Sequence, residues 1–186
     1  VSITTAAENT ATPPTGDPVY TVAPDAAVTI TEAVPANWAL TGVQCVNTDS
    51  NSVVTSSFAG GALTIPAASL PGGADLVCTF TNTRNARTLT VTKALSPTTD
   101  AGQFQMNANG TLSTAGGNGV QASATVTAGD TVTFAEVAAS GTDRANYTSS
   151  YDCVRTDTNA SVASGAAISG SLTMPDANVA CTITNT

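Results

Sequence analysis

The two halves of this chain end in nearly the same seven residues. Residues 77–83 read VCTFTNT, and residues 180–186 read ACTITNT. Two more segments repeat upstream in the same order: VTITEAV at 28–34 matches VTFAEV at 132–137, and LTIP at 63–66 matches LTMP at 172–175. Several short segments that recur in one order indicate two homologous units in tandem. The chain therefore has to build the same fold twice.

The residue pattern within each unit is typical of β-strands. Valine, isoleucine and threonine alternate in short runs, and glycine, proline and asparagine separate these runs, as expected for strands joined by turns. With 186 residues in the chain, each half is long enough to enclose its own core. We predict an all-β protein of two tandem Ig-like β-sandwich domains, residues 1–85 and 86–186, that meet beside the basic segment 84–87.

Four cysteines divide equally between the two units. Cys45 and Cys78 lie in the first unit, Cys153 and Cys181 in the second, with separations of 33 and 28 residues. The chain contains no histidine and no Cys-x-x-Cys pair, which argues against a zinc site. One disulfide per domain is the simpler interpretation, and it implies export to an oxidising compartment. The alternative is two buried free thiols in each domain.

The only lysine of the chain, Lys93, ends the strand-like run 89–93. It is in phase with the apolar residues of that run, so strand alternation points its ammonium group toward the core. Glu136 and Asn185 each end a strand-like run in the same inward phase. A lone ammonium group in a core is costly unless it is neutralised or consumed. We therefore expect the lysine, the carboxylate and the carboxamide to face one core together.

The lysine strand, the glutamate strand and the closing Cys-Thr-Phe-Thr-Asn-Thr segment together resemble the CnaB-type, prealbumin-like repeats of bacterial surface proteins and pilins. In that family a lysine on the first strand bonds spontaneously to an asparagine or aspartate on the last strand, and a buried glutamate promotes the reaction. The resemblance implies that Lys93 is the nucleophile, Asn185 the acceptor and Glu136 the proton shuttle. Such a reaction happens once per molecule, so we expect no enzyme activity.

The same three residues admit two interpretations without a covalent bond. Lys93 and Glu136 can form a buried ion pair while Asn185 hydrogen-bonds the strand ends, an arrangement that rarely improves stability. Alternatively, Lys93 lies at the end of its strand and extends its ammonium group to solvent. Both remain open at the level of the sequence.

The first unit repeats the glutamate and the asparagine but not the lysine. Glu32 and Asn82 are separated by 50 residues, as Glu136 and Asn185 are by 49, and no lysine strand precedes Glu32. Three interpretations stay open: the natural protein extends further toward its N-terminus, a neighbouring subunit donates a strand, or residues 1–5 take the first-strand place without a lysine. Residues 1–5 also match the second strand of the other domain. An unfilled place would expose strand edges prone to association.

The overall charge and hydrophobicity of the chain limit which partners it can bind. A net charge of −8 and a pI near 4.1 argue against nucleic acid, whose phosphates require a basic surface. No apolar run approaches the roughly 20 residues that span a bilayer, so we expect no membrane insertion, and we expect no cofactor or metal. Together with the resemblance, this predicts an extracellular structural module, a stalk or pilus-like filament subunit of a bacterial surface that self-associates or joins further repeats. The alternative is an adhesin domain that binds a host or glycan ligand.

Overall fold

The computed structural model describes residues 2–4, 21–23, 25–139 and 141–186, with the backbone alone for 2–4. It divides into two compact units, Val1–Arg84 and Asn85–Thr186. Both are built from strands, which confirms the prediction of an all-β protein with two tandem sandwich domains. The helices among the described residues are two 3₁₀ turns of three residues, Ala67–Ser69 and Arg144–Asn146. Neither is long enough to cross a membrane.

Within the described residues, the first unit contains seven strands. They are β1 (Ser2–Thr4), β2 (Val28–Ala33), β3 (Trp38–Asn47), β4 (Ser52–Val53), β5 (Ser57–Ala59), β6 (Ala62–Ile65) and β7 (Leu76–Arg84). One sheet has the order β1-β2-β6-β5 and the other has the order β4-β3-β7. The buried side chains between them form a small core: Cys45, Leu63, Ile65 and Leu70.

The second unit contains nine strands among its described residues. They are β8 (Ala86–Leu95), β9 (Phe104–Ala108), β10 (Thr111–Leu112), β11 (Gln121–Thr127), β12 (Thr131–Ala138), β13 (Ser149–Arg155), β14 (Ser161–Gly165), β15 (Ser169–Thr173) and β16 (Val179–Asn185). One sheet has the order β10-β9-β12-β15, and the other has the order β11-β8-β16-β13-β14. The alternate residues of these strands enclose a larger core, which includes Leu89, Val91, Phe104, Met106, Val132, Phe134, Met174 and Ile183.

The first and last strands of the second unit are direct neighbours. β8 and β16 pair in parallel, with Lys93 opposite Ile183 and Leu95 opposite Asn185. β12 belongs to the other sheet, so Glu136 approaches from the opposite side of the core. Two parallel strands cannot be joined by a tight hairpin, and here the whole domain lies between them in sequence.

Both predicted disulfides are present. Cys45 bonds Cys78, and Cys153 bonds Cys181. In each domain the two cysteines lie directly opposite one another on neighbouring antiparallel strands, β3 with β7 and β13 with β16. The disulfide therefore fixes the pairing register of the last strand in both domains.

Strand β1 occupies the position that β9 occupies in the second unit, but it runs in the other direction. β1 pairs with β2 in parallel, with Ile3 opposite Glu32, whereas β9 pairs with β12 antiparallel, with Met106 opposite Glu136. An edge accepts a strand in either direction because both ladders alternate donors and acceptors. Residues 2–4 thus occupy the position of the second strand. The interpretation that residues 1–5 take the first-strand place, beside the last strand, is wrong for the described part of this segment.

Candidate cross-linking site

Lys93 lies inside the core of the second domain. Only 1% of its surface is exposed, and it is among the largest fully buried side chains of the described residues. The cause is local: inward positions of β8 alternate with half-exposed ones, and the apolar residues Leu89, Val91 and Leu95 occupy the other inward positions. Glu136 and Asn185 are buried in the same way at the ends of β12 and β16. The structure therefore brings together the three residues singled out from the sequence, and Lys93 does not extend to solvent.

The ammonium group of Lys93 has three neighbours in the core. Its Nζ lies 2.7 Å from Oε2 of Glu136, and both side chains are fully buried. Nζ also donates a hydrogen bond of 3.0 Å to the backbone carbonyl of Ile183. The ring of Phe104 lies below it, with 4.7 Å between Nζ and the ring centroid, within the range of a cation–π contact.

Burial changes the acidity of this lysine. Loss of solvent lowers the pKa of Lys93 from its ordinary value, the hydrogen bond and charge of Glu136 act in the opposite direction, and the nearby positive charge of Arg144 lowers it further. Desolvation outweighs the contribution of the carboxylate because it penalises the charged form of the amine. The neutral, nucleophilic form of the amine therefore forms more readily here than on a surface lysine.

The carboxamide of Asn185 is held at both ends. Its Nδ2 donates to Oε1 of Glu136 over 2.9 Å, and its Oδ1 accepts a hydrogen bond from the hydroxyl of Ser149. The amide nitrogen thus faces Glu136 and the amide oxygen faces the serine. One oxygen of Glu136 thus contacts the lysine nitrogen and the other contacts the amide nitrogen.

Ser149 was not among the residues predicted from the sequence, although a signal for it exists. It lies opposite Asn185 in the ladder between β13 and β16, just as Cys153 lies opposite Cys181. Once the disulfide fixes the antiparallel register, the residue four before one cysteine faces the residue four after the other, unless a bulge shifts the register as it does between Leu40 and Gly42 of the first domain. The serine could therefore have been found by counting outward from the disulfide.

Arg144 and Tyr147 form a set of contacts beside the site. Arg144 Nε lies 3.5 Å from Oε1 of Glu136, and the Nη1 of the same residue donates to the carbonyl of Tyr147 over 3.0 Å. The Tyr147 ring packs edge-on against Phe104 with centroids 5.4 Å apart, and its hydroxyl donates to Asp100 over 2.7 Å. This hydrogen bond lowers the pKa of Asp100 and raises the pKa of Tyr147. The side chains of Lys93 and Glu136 beside these contacts have no surface exposed to water.

The first domain contains the glutamate–asparagine contact in nearly the same form. Asn82 Nδ2 donates to Oε1 of Glu32 over 2.6 Å, and both side chains are buried. The residue opposite Asn82 on β3, however, is Leu40, where the second domain has Ser149. The first domain therefore repeats the carboxylate–carboxamide bond, but the residue opposite its asparagine is a leucine rather than a serine.

The last strands of the two domains also differ in burial. The inward residues Val179, Cys181 and Ile183 of β16 are completely buried between the sheets. The corresponding residues of β7 are only half-buried. Among the described residues β7 pairs with β3 alone, whereas β16 lies between β13 and β8. The side of β7 that corresponds to β8 is therefore more accessible than its counterpart.

Comparisons with known proteins agree with the two-domain division. A family profile described as a prealbumin-like fold domain matches residues 1–84, and a second with the same description matches residues 88–186. A search of curated protein sequences gives no match. Among solved structures, the chain is similar to the major pilin of Streptococcus pyogenes, with 14% identity, a TM-score of 0.38, and coverage of 81% of this chain and 64% of the pilin.

Two serotype forms of the S. pyogenes major pilin are similar to the same degree. The T3.2 pilin has 14% identity, a TM-score of 0.38, and coverage of 72% of this chain and 57% of the pilin. For the T-13 pilin the identity is 9% and the TM-score 0.36, with coverage of 81% and 61%. The chain thus spans less than two thirds of the length of the pilins it matches.

Proposed function

We propose that this chain, which belongs to the family of prealbumin-like fold domains along both of its halves, is a structural subunit of a pilus-like filament on a bacterial surface. The observation that carries the proposal is the buried Lys93–Glu136–Asn185 site between the first strand, a middle strand and the last strand of one domain. Two disulfides support an extracellular location. The work of the molecule is then mechanical rather than catalytic.

The site supports an amide cross-link between Lys93 and Asn185. Lys93 Nζ passes a proton to the adjacent Oε2 of Glu136, and the neutral amine attacks Cγ of Asn185. The Nζ–Cγ bond forms and the Cγ–Nδ2 bond breaks. Nζ gives up two protons in all: one reaches the departing nitrogen, which leaves as ammonia, and the other stays on Glu136. Fixed proximity replaces a slow bimolecular step.

The position of this bond supports a load-bearing role. Lys93 lies on the first strand of the domain and Asn185 ends the last strand, and the two strands are parallel neighbours. When such a domain is pulled at its two ends, the cross-link transmits the force directly between these strands. The strands that lie between them in sequence then carry no load and stay folded.

Intact mass of the purified full chain tests the cross-link. The wild-type protein should be lighter than its sequence by one ammonia, besides the hydrogens lost in two disulfides, and reduction should restore only those hydrogens. Lys93→Arg keeps the charge but should show no ammonia loss. This control matters because the Asn109–Gly110 turn can also lose ammonia by forming a succinimide, and it would do so equally in both proteins. Full wild-type mass would exclude the cross-link.

We further propose that the accessible side of β7 receives a strand from a neighbouring subunit, parallel to β7 as β8 is to β16. Half-buried inward residues on β7 support this, because an added strand would bury more apolar surface there. Electron micrographs and size analysis of the native material test it, and fibres or concentration-dependent oligomers are expected. Monomers at every concentration would contradict strand donation, and a lysine strand found earlier in the same polypeptide would assign the edge to that segment instead.

A further inference from the structure

We propose that Ser149 is a catalytic residue of the cross-linking reaction, because its hydroxyl group stabilises the negative charge that develops on Oδ1 of Asn185. The inference rests on the proposed cross-link between Lys93 and Asn185. It gives a chemical role to a buried hydroxyl group that neither the sequence motifs nor the family comparison singled out.

The reaction needs a donor at that oxygen. When an amine attacks a carboxamide, the carbonyl oxygen of the tetrahedral intermediate becomes an oxyanion, and hydrogen-bond donors placed at its position lower the barrier. Glu136 makes no contact with that oxygen in this structure, since its two oxygens face Nζ of Lys93 and Nδ2 of Asn185. The hydroxyl group of Ser149 donates to Oδ1 itself. The glutamate then moves protons between the two nitrogens while the serine stabilises the oxygen.

The serine is well placed for this role before the reaction starts. Ser149 is almost completely buried, and a hydrogen bond to a developing charge is stronger in a low-dielectric core than in water. Its register is held on one side by the Cys153–Cys181 disulfide. On the other side, Thr148 and Thr186 exchange two backbone hydrogen bonds of 2.9 Å. The hydroxyl group therefore needs little rearrangement when Lys93 attacks.

The first domain provides an internal comparison. It has a buried glutamate–asparagine bond of similar length, but Leu40 stands opposite Asn82 where Ser149 stands opposite Asn185. The residue opposite the asparagine is thus an apolar leucine in the domain that has no lysine strand in this sequence. The serine occurs in the domain that contains all three reacting groups, which is the distribution expected of a residue needed for the reaction.

The rate of ammonia loss tests the role of Ser149. Full-length chains are purified in denaturant directly after a short pulse of synthesis, refolded with oxidised disulfides, and sampled over time by intact mass. Ser149→Ala should slow the loss of ammonia by roughly 100-fold or more, the usual effect of removing one oxyanion donor. Ser150→Ala, on the exposed face of the same strand, should react at the wild-type rate. A Ser149→Ala variant that reacts as fast as wild type would overturn the proposal.

A second pair of variants keeps the test valid if the alanine variant folds poorly. Ser149→Thr and Ser149→Val have nearly the same shape and differ in the hydroxyl group, so their packing costs cancel. The threonine variant should react much faster than the valine variant, and equal rates would refute the role of the hydroxyl. The wild-type sample separates the two hypotheses: if it never loses ammonia, the cross-link itself is wrong, whereas loss in wild type with no effect of these variants rejects Ser149 alone.

Discussion

Replacing the buried pair with apolar residues distinguishes a covalent cross-link from a plain ion pair. Lys93 and Glu136 have no exposed side-chain surface, so removing one partner leaves an uncompensated charge in the core, which typically costs about 3–5 kcal/mol. Glu136→Leu should reach the upper part of that range from the unpaired charge alone, in addition to the loss of the cross-link. The unpaired charge in Lys93→Met should cost less, because Arg144 remains 3.5 Å from the carboxylate. Replacing both residues removes both charges, and such changes are often neutral or stabilising.

The proposed cross-link would add a contribution to stability that the double variant lacks. Lys93 and Asn185 enclose a loop of roughly 90 residues, for which the chain-entropy estimate of a covalent closure is about 4–5 kcal/mol. The Cys153–Cys181 disulfide inside that loop shortens it and lowers the value slightly. We therefore expect the Lys93→Met/Glu136→Leu variant to be about 4–5 kcal/mol less stable than wild type, yet more stable than Glu136→Leu, since no charge is left in the core.

Denaturant unfolding of the full chain with its disulfides intact measures these differences. The fluorescence of Tyr147 and Tyr151 reports on the second domain. Trp38, the only tryptophan, reports on the first domain, which should unfold at the same denaturant concentration in every variant. If only an ion pair existed, the double variant would unfold at or above the wild-type midpoint. That result would refute the covalent contribution, and single variants no less stable than the double would refute the argument from buried charge.

Three further predictions follow from local geometry. The rate of ammonia loss should rise with pH and reach its plateau below pH 10.5, the ordinary pKa of lysine, because burial lowers the pKa of Lys93. A rate that reaches its plateau only above pH 10.5 would contradict this prediction. Arg155 lowers the pKa of Asp157 to about 2. Asp157 should therefore stabilise the fold at pH values above the ordinary aspartate pKa, and acid titration followed by NMR should show this stabilisation being lost as the pH falls toward 2. Asn82→Ala removes a donor to the buried Glu32 and should cost the first domain about 1–3 kcal/mol in tryptophan-monitored unfolding.

Strand alternation and the repeat carried most of what could be predicted from the sequence. Period-two patterning assigns each strand an inward face, which is why Lys93, Glu136 and Asn185 could be selected from three distant segments before their contacts were known. The spacing of the cysteines predicted one disulfide per domain, and the structure pairs them in that way. These features depend on each strand separately, so a one-dimensional pattern is sufficient to find them.

Features that depend on pairing between strands could not be predicted from the sequence. Ser149 matters because of the residue opposite it, and no pattern within β13 reveals that neighbour. Arg144 lies in a 3₁₀ turn whose residues follow no strand period, yet it lies 3.5 Å from Glu136. β1 pairs with β2 in parallel, although parallel and antiparallel ladders have similar energies. Register, turns and strand direction are set by tertiary contacts rather than by local periodicity.

The two domains differ in that both contain the same glutamate–asparagine hydrogen bond but one contains the proposed cross-linking site. In both, a glutamate of one sheet accepts a hydrogen bond from an asparagine on the last strand of the other sheet. This shared bond ties the sheets together in either domain. The second domain also has the lysine and, opposite the asparagine, a serine, and both belong to the sheet that contains the asparagine.

This difference predicts how the first domain will respond to a lysine strand. A peptide of residues 86–95, supplied to the full chain, should bind along β7 as β8 lies along β16. Its amide formation with Asn82 should be slow, because the residue opposite Asn82 is Leu40, whose side chain has no hydroxyl group. Leu40→Ser should accelerate the covalent adduct, detected as peptide plus chain minus one ammonia, whereas Leu40→Ala, which opens similar space without a hydroxyl group, should not. Equal adduct formation in the serine and alanine variants would mean that the hydroxyl group is irrelevant and that the lysine alone distinguishes the two domains.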